Sequence, residues 1–462
     1  MDTAVQPRAL PQIGTGDVIR ALLSYSRDPL ATLRWLTDRY DEDVICARTA
    51  GQRIVLLRRA DHAEQVLKLA GTVYTKVKVA YEDLGRVVGK GLLTSENPLW
   101  RQQRLMMAPI FHRRCLDGFA ATMQAVARDT TATLLKAAEQ QRSVDLLAQM
   151  RHATLRVLGL TLMSVDLSNS MHRFSQAVEL ALQALGHRIH TRFKVPRWMP
   201  TPSNMRLTQA VRVLDAEVFG IIEARRRGAQ AAVQNDLLGL LMAASEDDGG
   251  KRMSNRQLRD EVMTMLTAGH ETTASTLAWC LWLLSKHSDI EDAVRIELQQ
   301  VLQGREVAAD DLSKLELTRS IVKETLRLYP TLPIVARQAE RDALIGDFHI
   351  PAGSSLLLSP YLIQRDRRYW RDPERFDPTR FMPGGEADSR PRGAYLPFID
   401  GPRRCIGEQF ALMEIGIFLA TILPRISLRR DPACRMAIEL SVTLRPDNLS
   451  MYPMAVSAAS GD

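Results

Sequence analysis

One stretch constrains the fold of this chain more than any other. From Ser254 to Lys286 apolar residues recur at helical spacing almost without interruption. Ser254 with Gln257 three residues later forms a capping-box start. A helix of about 30 residues is about 45 Å long, enough to cross a whole domain. Such length and apolarity predict a central core helix. Yet Ala268-Gly269-His270-Glu271-Thr272-Thr273 lies in its middle. Glycine is a poor interior helix residue, and threonine hydroxyls compete for backbone carbonyls. A local rule broken inside a core helix marks a candidate functional site.

Helical spacing also appears at Asp61–Ala70, Trp100–Pro109, Cys115–Lys136, Leu146–Val165, Ser175–Leu185, Leu207–Arg227 and Leu315–Tyr329, with a last helix from about Ile406 to Leu423. Strand-forming runs are fewer. Val44–Arg48 and Arg53–Leu57 flank a Thr49-Ala50-Gly51-Gln52 turn and predict a hairpin. Short β pieces are expected at Ala343–Ile350 and Ser355–Leu358, and a β region closes the chain. Gly186–Arg206, with three prolines, reads as a helix-to-helix connection, and Ser245–Lys251 as a loop. Trp370–Pro397 is long and irregular, and loops of that length are usually functional. The expected fold is mainly α with a small β part: a single domain over 1–462 around one long central helix.

Composition narrows the function. Lys and Arg total 61 against 53 Asp and Glu, a net charge of +8 over 462 residues. The basic residues are dispersed and carry no nucleic-acid motif, so no nucleic-acid partner is expected. Five cysteines (Cys46, Cys115, Cys280, Cys405, Cys434) show no C-x-x-C spacing, which excludes a zinc ribbon and suits a reducing compartment. No basic and then apolar leader opens the chain, and no apolar run reaches the length of a membrane span. A cytoplasmic monomer without a transmembrane segment is expected.

The chemistry concentrates in Phe398-Ile399-Asp400-Gly401-Pro402-Arg403-Arg404-Cys405-Ile406-Gly407. A cysteine just before a helix faces free N–H groups and the positive dipole end, which favour thiolate. The segment resembles the cysteine-ligand loop of the cytochrome P-450 family, the haem-thiolate monooxygenases. The family pattern F-x-x-G-x-R-x-C-x-G is met at Phe398, Gly401, Arg403, Cys405 and Gly407. Three further segments resemble family elements: Glu324-Thr325-Leu326-Arg327 with Pro373-Glu374-Arg375-Phe376, Trp100-Arg101-Gln102-Gln103-Arg104, and Ala268 to Thr273. The motif style is similar to the eukaryote-like branch of soluble bacterial members.

The resemblance implies the cytochrome P-450 fold with haem b held by Cys405. It assigns Trp100, Arg104, Arg337 and Arg403 to the haem propionates and a structural triad to Glu324, Arg327 and Arg375. Ala268, Gly269, Phe398 and Gly407 would border the cofactor. Glu271 and Thr272 become the acid–alcohol pair that relays protons. By family position the substrate pocket draws on the Lys76–Lys90 region, Thr264, Thr267, Leu332, Ile334, Val335 and the Ser441–Thr443 turn, including Val442. The implied reaction inserts one oxygen atom from dioxygen into a hydrophobic small molecule: a terpenoid, fatty acid or polyketide. Electrons from NAD(P)H would arrive through a separate ferredoxin and its reductase, or a flavodoxin-type donor, since no fused reductase is expected. Arg101, Arg113, Arg114 and Arg404 are candidates for the face that receives the donor; ordinary solvation is the alternative. His187, Arg188, His190, Arg192, Lys194 and Arg197, interleaved with Phe193 and Trp198, form either a solvated loop or a lid attractive to an anionic substrate or membrane surface. A peroxide-driven peroxygenase and a non-catalytic haem sensor or carrier are the rival functions. The retained Glu271–Thr272 pair argues against both.

Overall fold

The computed structural model describes residues 7–49, 51–167, 171–190, 196, 198–228, 236–246 and 253–456. The α-helices are α1 (Thr15–Tyr25), α2 (Pro29–Arg39), α3 (Ala60–Lys68), α4 (Lys78–Val88), α5 (Leu99–Met107), α6 (Arg113–Asp117), α7 (Ala120–Glu139), α8 (Leu146–Leu162), α9 (Met171–His190), α10 (Pro202–Arg227), α11 (Leu237–Glu246), α12 (Asn255–Leu284), α13 (Ser288–Leu302), α14 (Glu316–Leu328), α15 (Pro360–Ile363) and α16 (Glu408–Ile422). The strands are β1 (Val44–Thr49), β2 (Gln52–Leu57), β3 (Tyr74–Lys76), β4 (Val144–Asp145), β5 (Val335–Ala339), β6 (Ala343–Ile345), β7 (Phe348–Ile350), β8 (Ser355–Leu358), β9 (Ile426–Arg430), β10 (Ala437–Leu440), β11 (Leu444–Asp447) and β12 (Ser450–Ala455). The mainly helical expectation with a small β part is met.

The predicted central helix is α12. Ser254 caps it by accepting from the Gln257 N–H at 3.1 Å. It packs against α8, α10, α14 and α16 in one large apolar core. The predicted hairpin is β1–β2, with Thr49 paired to Gln52. A five-stranded sheet runs β1-β2-β8-β5-β3, in which only β2 and β8 pair parallel. Its own apolar cluster packs on α3. Short sheets β4-β12-β9, β6-β7 and β10-β11 complete the fold.

Some boundaries differ from expectation for local reasons. The run from Cys115 to Lys136 is divided into α6 and α7, with Gly118 and Phe119 between them. The helix expected from Leu207 starts at Pro202, because Thr201 accepts from the Asn204 N–H and proline is tolerated in a first helical turn. Residues 247–251 of the expected Ser245–Lys251 loop lie outside the described residues. Among the described residues, no helix is long and apolar enough to cross a membrane.

Candidate active site

From Leu258 to Leu284, α12 is buried except at Thr267, Ala268, Gly269 and Thr272. The motif that breaks helix rules is therefore also the place where the core leaves the helix uncovered. The Thr272 hydroxyl donates to the Ala268 carbonyl at 2.7 Å, one turn back. Gly269 permits close helix packing: a Cβ there would meet Leu158 of α8 at 3.0 Å. His270 points away into the core, fully buried, with Nε2 3.3 Å from the Ser175 hydroxyl. Burial lowers it to about 4, so it is neutral.

Glu271 is 2% exposed and clamped by cations. Arg151 of α8 donates Nε and Nη2 to its two oxygens, each at 2.8 Å, and Arg445 of β11 approaches one oxygen at 3.4 Å. Burial alone would raise this carboxyl; the Arg151 guanidinium, with Arg445, brings it below the usual carboxylate range. Glu271 is thus held ionised. Motif reading missed both arginines, because they lie far from the motif in sequence.

The cysteine loop is built by packing. The Cys405 N–H donates to the Phe398 carbonyl at 3.0 Å, closing the turn. Gly401 has φ +74°, and a Cβ there would meet the Leu67 carbonyl oxygen at 2.1 Å, so only glycine docks the loop on α3. At Gly407 the nearest atom to a Cβ would be a Phe111 ring carbon at 3.9 Å, so protein packing does not demand glycine there. The bare backbone instead suits the close approach of a flat group. Burial raises the Cys405 thiol, while the Gly407 N–H, Arg104 and Arg404 pull it down. Its side chain is nonetheless uncovered by protein. These two observations agree only for a thiol that faces an interior space.

The loop is locked from behind by a saturated charge set. Glu324 and Arg327 are both fully buried and paired twice, at 2.7 and 2.8 Å. Arg327 also donates to the carbonyls of Gln364, Pro373 and Arg375. Gln364 in turn accepts from the Leu396 N–H at 2.7 Å, just ahead of the cysteine loop. The third member of this set is not Arg375, which is exposed and contributes only its carbonyl. Arg380, 5% exposed, approaches Glu324 at 3.5 Å instead. The correction is intelligible in the sequence: Phe376-Asp377-Pro378-Thr379-Arg380-Phe381 repeats the Pro-x-Arg-Phe pattern five residues later.

A second charge set is not saturated. Arg403 stacks on Trp100, its guanidinium carbon 4.0 Å from the ring centre, and donates to the Ser95 carbonyl. Arg104 lies 5.7 Å from the same ring and donates to the Arg404 carbonyl at 2.8 Å. Lys76 and Arg337 face each other across the β3–β5 ladder, both buried. The carboxylate beside them is Glu96, paired with Arg403. Burial, then the Arg403 charge, lowers Lys76 to about 7. Three buried cations against one partly exposed carboxylate leave a deficit of negative charge, and buried charge is stable only when paired. Two carboxylates on a flat, apolar body would fit. This set includes the predicted Trp100, Arg104, Arg337 and Arg403, and it adds Lys76, which had been read only as part of a pocket region.

The predicted pocket residues divide. Thr267, Leu332, Ile334 and Val442 are partly exposed. Thr264 is 2% exposed and covered: a Cβ on Gly91 would meet its hydroxyl at 2.1 Å, so it seats the Gly89–Leu92 loop. Val335 is 3% exposed in the sheet's core, because strand alternation turns it to the packed face. Of the lid residues, Arg188 is buried and pairs with Asp83 of α4 at 3.3 Å and with Asn204 of α10 at 3.0 Å. Trp198 is 80% exposed. The side chains of His187 and His190, and all of Arg192, Phe193, Lys194 and Arg197, lie outside the described residues. On the surface, Arg113 pairs with Asp117 and Asp310, and Arg404 with Glu408. Arg101 and Arg114 are exposed and hold no ion pair among the described residues.

The fold and these motifs define a haem-thiolate enzyme, and comparison with known proteins agrees. The cytochrome P450 family model matches residues 9–451. The chain belongs to the cytochrome P450 family and is a monooxygenase of that family. It is 33% identical to the cyclooctat-9-en-7-ol 5-monooxygenase of Streptomyces melanosporofaciens, over 84% of this chain and 83% of that one. It is 32% identical to the pentalenene oxygenase of Streptomyces avermitilis, over 82% and 83%. It is also 31% identical to leukotriene-B4 omega-hydroxylase 3 of Mus musculus, over 86% and 81%. Membership implies haem-thiolate iron, redox partners and a hydrophobic substrate.

Proposed function

We propose that the chain hydroxylates a hydrophobic small molecule, a terpenoid in the first instance, using electrons from NAD(P)H delivered by a ferredoxin and its reductase. The observation that carries this reading is the uncovered patch Thr267, Ala268, Gly269 and Thr272 on an otherwise buried helix, with Glu271 held ionised beside it. The names of the two Streptomyces relatives support a terpenoid; that of the mouse relative keeps a lipid chain as the second candidate.

In this reading the Cys405 thiolate would hold the haem iron, and Lys76, Arg337 and Arg403, with Trp100 and Arg104, would hold the propionates. Bound haem supplies the activation of dioxygen: one oxygen atom enters the substrate and the other leaves as water, with two electrons and two protons consumed. The protein's part is positioning and proton control. Because the Thr272 O–H donates to Ala268, its oxygen lone pairs are left to accept from a water molecule. Glu271, ionised, takes up a proton and passes it toward that water. Thr267, Leu332, Ile334 and Val442 present small or apolar surface to the substrate.

A spectral titration of the haem-loaded protein with a panel of terpenoids and fatty acids tests the substrate class. A low-to-high-spin shift with terpenoids at micromolar concentration is expected; a shift confined to fatty acids would replace the reading. Turnover with a surrogate ferredoxin system, but not with peroxide alone, separates it from the peroxygenase alternative.

A further inference from the structure

The Glu271 clamp reaches beyond α8. Five charged side chains meet there from five elements: Arg151 of α8, Glu179 of α9, Glu271 of α12, Glu439 of β10 and Arg445 of β11. His270, neutral, is the other titratable group near Glu271. Two arginines therefore face three carboxylates, and Glu179 and Glu439 keep 39% and 31% of their side chains in solvent.

Arg445 is shared unequally. It holds Glu439, its cross-strand partner, at 2.8 and 3.0 Å, but reaches Glu179 and Glu271 only at 3.4 Å. It is 2% exposed, so its charge is met by these carboxylates rather than by water. Glu439 and Arg445 ride on the same hairpin, so a small displacement of it changes the Arg445–Glu271 distance while the Glu439 contact is kept.

The β10–β11 hairpin is anchored at its second strand, where Leu444 is fully buried and its N–H donates to the Thr331 carbonyl at 2.9 Å. Among the described residues it is a two-stranded sheet paired to no other strand, and such hairpins take their position from what they pack against. Its turn is Ser441-Val442-Thr443. A Cβ on Gly186 of α9 would meet the Ser441 Cα at 2.8 Å, so α9 sits directly on the turn. Thr443 Oγ1 is buried without a hydrogen-bond partner. The turn read as pocket lining thus lies directly before the strand that carries the acid's second cation.

We propose that Arg445 is a positioning residue that couples seating of an apolar substrate against the 441–443 turn to the hold on the Glu271 carboxylate. This rests on reading Glu271 as the proton carrier and Val442 as pocket lining. Without substrate, Arg445 leans on Glu439, and Arg151 is the closer grip on Glu271. Pressure on the turn shifts Arg445 and changes how readily Glu271 takes a proton. Substrate presence thereby reaches the proton path, and the solvent-facing Glu179 and Glu439 give that path an outlet.

The test is an infrared pH titration of the Glu271 carboxyl in the haem-loaded full chain, with Glu271→Gln identifying the band. The probe is 4-phenylimidazole, an azole carrying an apolar ring. In the native protein the probe shifts the titration midpoint. In Arg445→Gln the midpoint rises by about 1–3 pH units, as expected when an opposite charge is removed, and no longer responds to the probe; Arg445→Lys partly restores both. Glu439→Gln leaves Arg445 to Glu271, lowers the midpoint, and answers the question if Arg445→Gln fails to fold. An unchanged midpoint in whichever of these two variants folds, or a probe shift that survives in Arg445→Gln, overturns the coupling. Turnover of Glu271→Gln is read separately: native turnover there would refute the proton-carrier reading, whereas slowed turnover with an unmoved midpoint would refute only the role of Arg445.

Discussion

Two buried charge sets sit on either side of the cysteine loop, and they differ in one respect. Around Glu324 and Arg327 the charges are matched: two paired contacts, three carbonyls, and Arg380, which is shared between Glu324 and Glu386. Around Lys76, Arg337 and Arg403 positive charge is in excess, with Glu96 as the carboxylate on hand. A matched set has nothing left to offer a ligand, so it supports. An unmatched set costs stability until something anionic arrives, so it binds. Saturation, more than burial or charge count, separates structural from functional ionic clusters in this chain.

The sharpest way to break the comparison is to unmatch the first set. Arg327→Ala strands the Glu324 carboxylate in the core and should cost about 3–5 kcal/mol, read as lost haem content and a lower denaturant midpoint. Arg380→Gln should cost less, about 1–3 kcal/mol, while Arg375→Gln should stay within about 0.5 kcal/mol of native. Equal effects at 375 and 380 would undo the reassignment.

The second set predicts a dependence on pH. Lys76 is depressed to about 7 when folded, against an ordinary lysine value of 10.5. Between those values the unfolded chain binds the extra proton, so the haem-free protein should gain stability as pH rises from about 7. The penalty is fully present below that. Haem loading should flatten the slope, and Lys76→Met should abolish it. Urea midpoints of the haem-free protein at pH 6, 7.5 and 9 are the check.

Within the helix the contrast is between a satisfied donor and free lone pairs. Thr272→Ala removes the back-bond to Ala268 but also the site for a water. Product per electron should fall several-fold while electron consumption persists, with the difference released as hydrogen peroxide. Full coupling in that variant would reduce Thr272 to a helix residue.

The smallest expected effect lies on the surface, where the same distinction holds. Arg113 and Arg404 are paired, whereas Arg101 and Arg114 are not. Replacing Arg101 and Arg114 by Gln should slow reduction by a ferredoxin about two- to fivefold at low salt. The difference should vanish at high salt, since charges are screened over about 10 Å at 0.1 M. A salt-independent rate would remove any docking role.

Much of this architecture was legible in the sequence. The capped apolar run became α12, and the β1–β2 hairpin formed in its expected register, because both rest on local periodicity and turn chemistry. The cysteine loop was legible because Gly401 and Cys405 act through their own backbone. What local pattern could not show was partnership across the chain. Arg151 and Arg445 meet Glu271 from 120 and 174 residues away. Lys76 acquires its role only when β3 pairs with β5 and sets it against Arg337. The motif match assigns Arg375 because Pro373-Glu374-Arg375-Phe376 fits the pattern; that the similar segment five residues later supplies the buried arginine shows only in the packing. Thr264 and Val335 looked like pocket residues for a related reason: whether a helix face or strand face meets a loop, a core or a cavity is decided by tertiary packing.

The claim that an unsatisfied cationic set holds the propionates can be tested by one binding measurement. Haem-free protein is titrated with iron protoporphyrin IX and with its dimethyl ester, which keeps the flat ring but has lost both carboxylate charges. The account predicts that the native protein binds the ester at least about tenfold more weakly, since hydrogen bonds to charged groups contribute about 1.5–3 kcal/mol. It also predicts that Lys76→Met with Arg337→Gln binds the two forms almost alike, while Arg375→Gln discriminates as the native protein does. Native protein that binds acid and ester equally well, or a double variant that still discriminates fully, would contradict it.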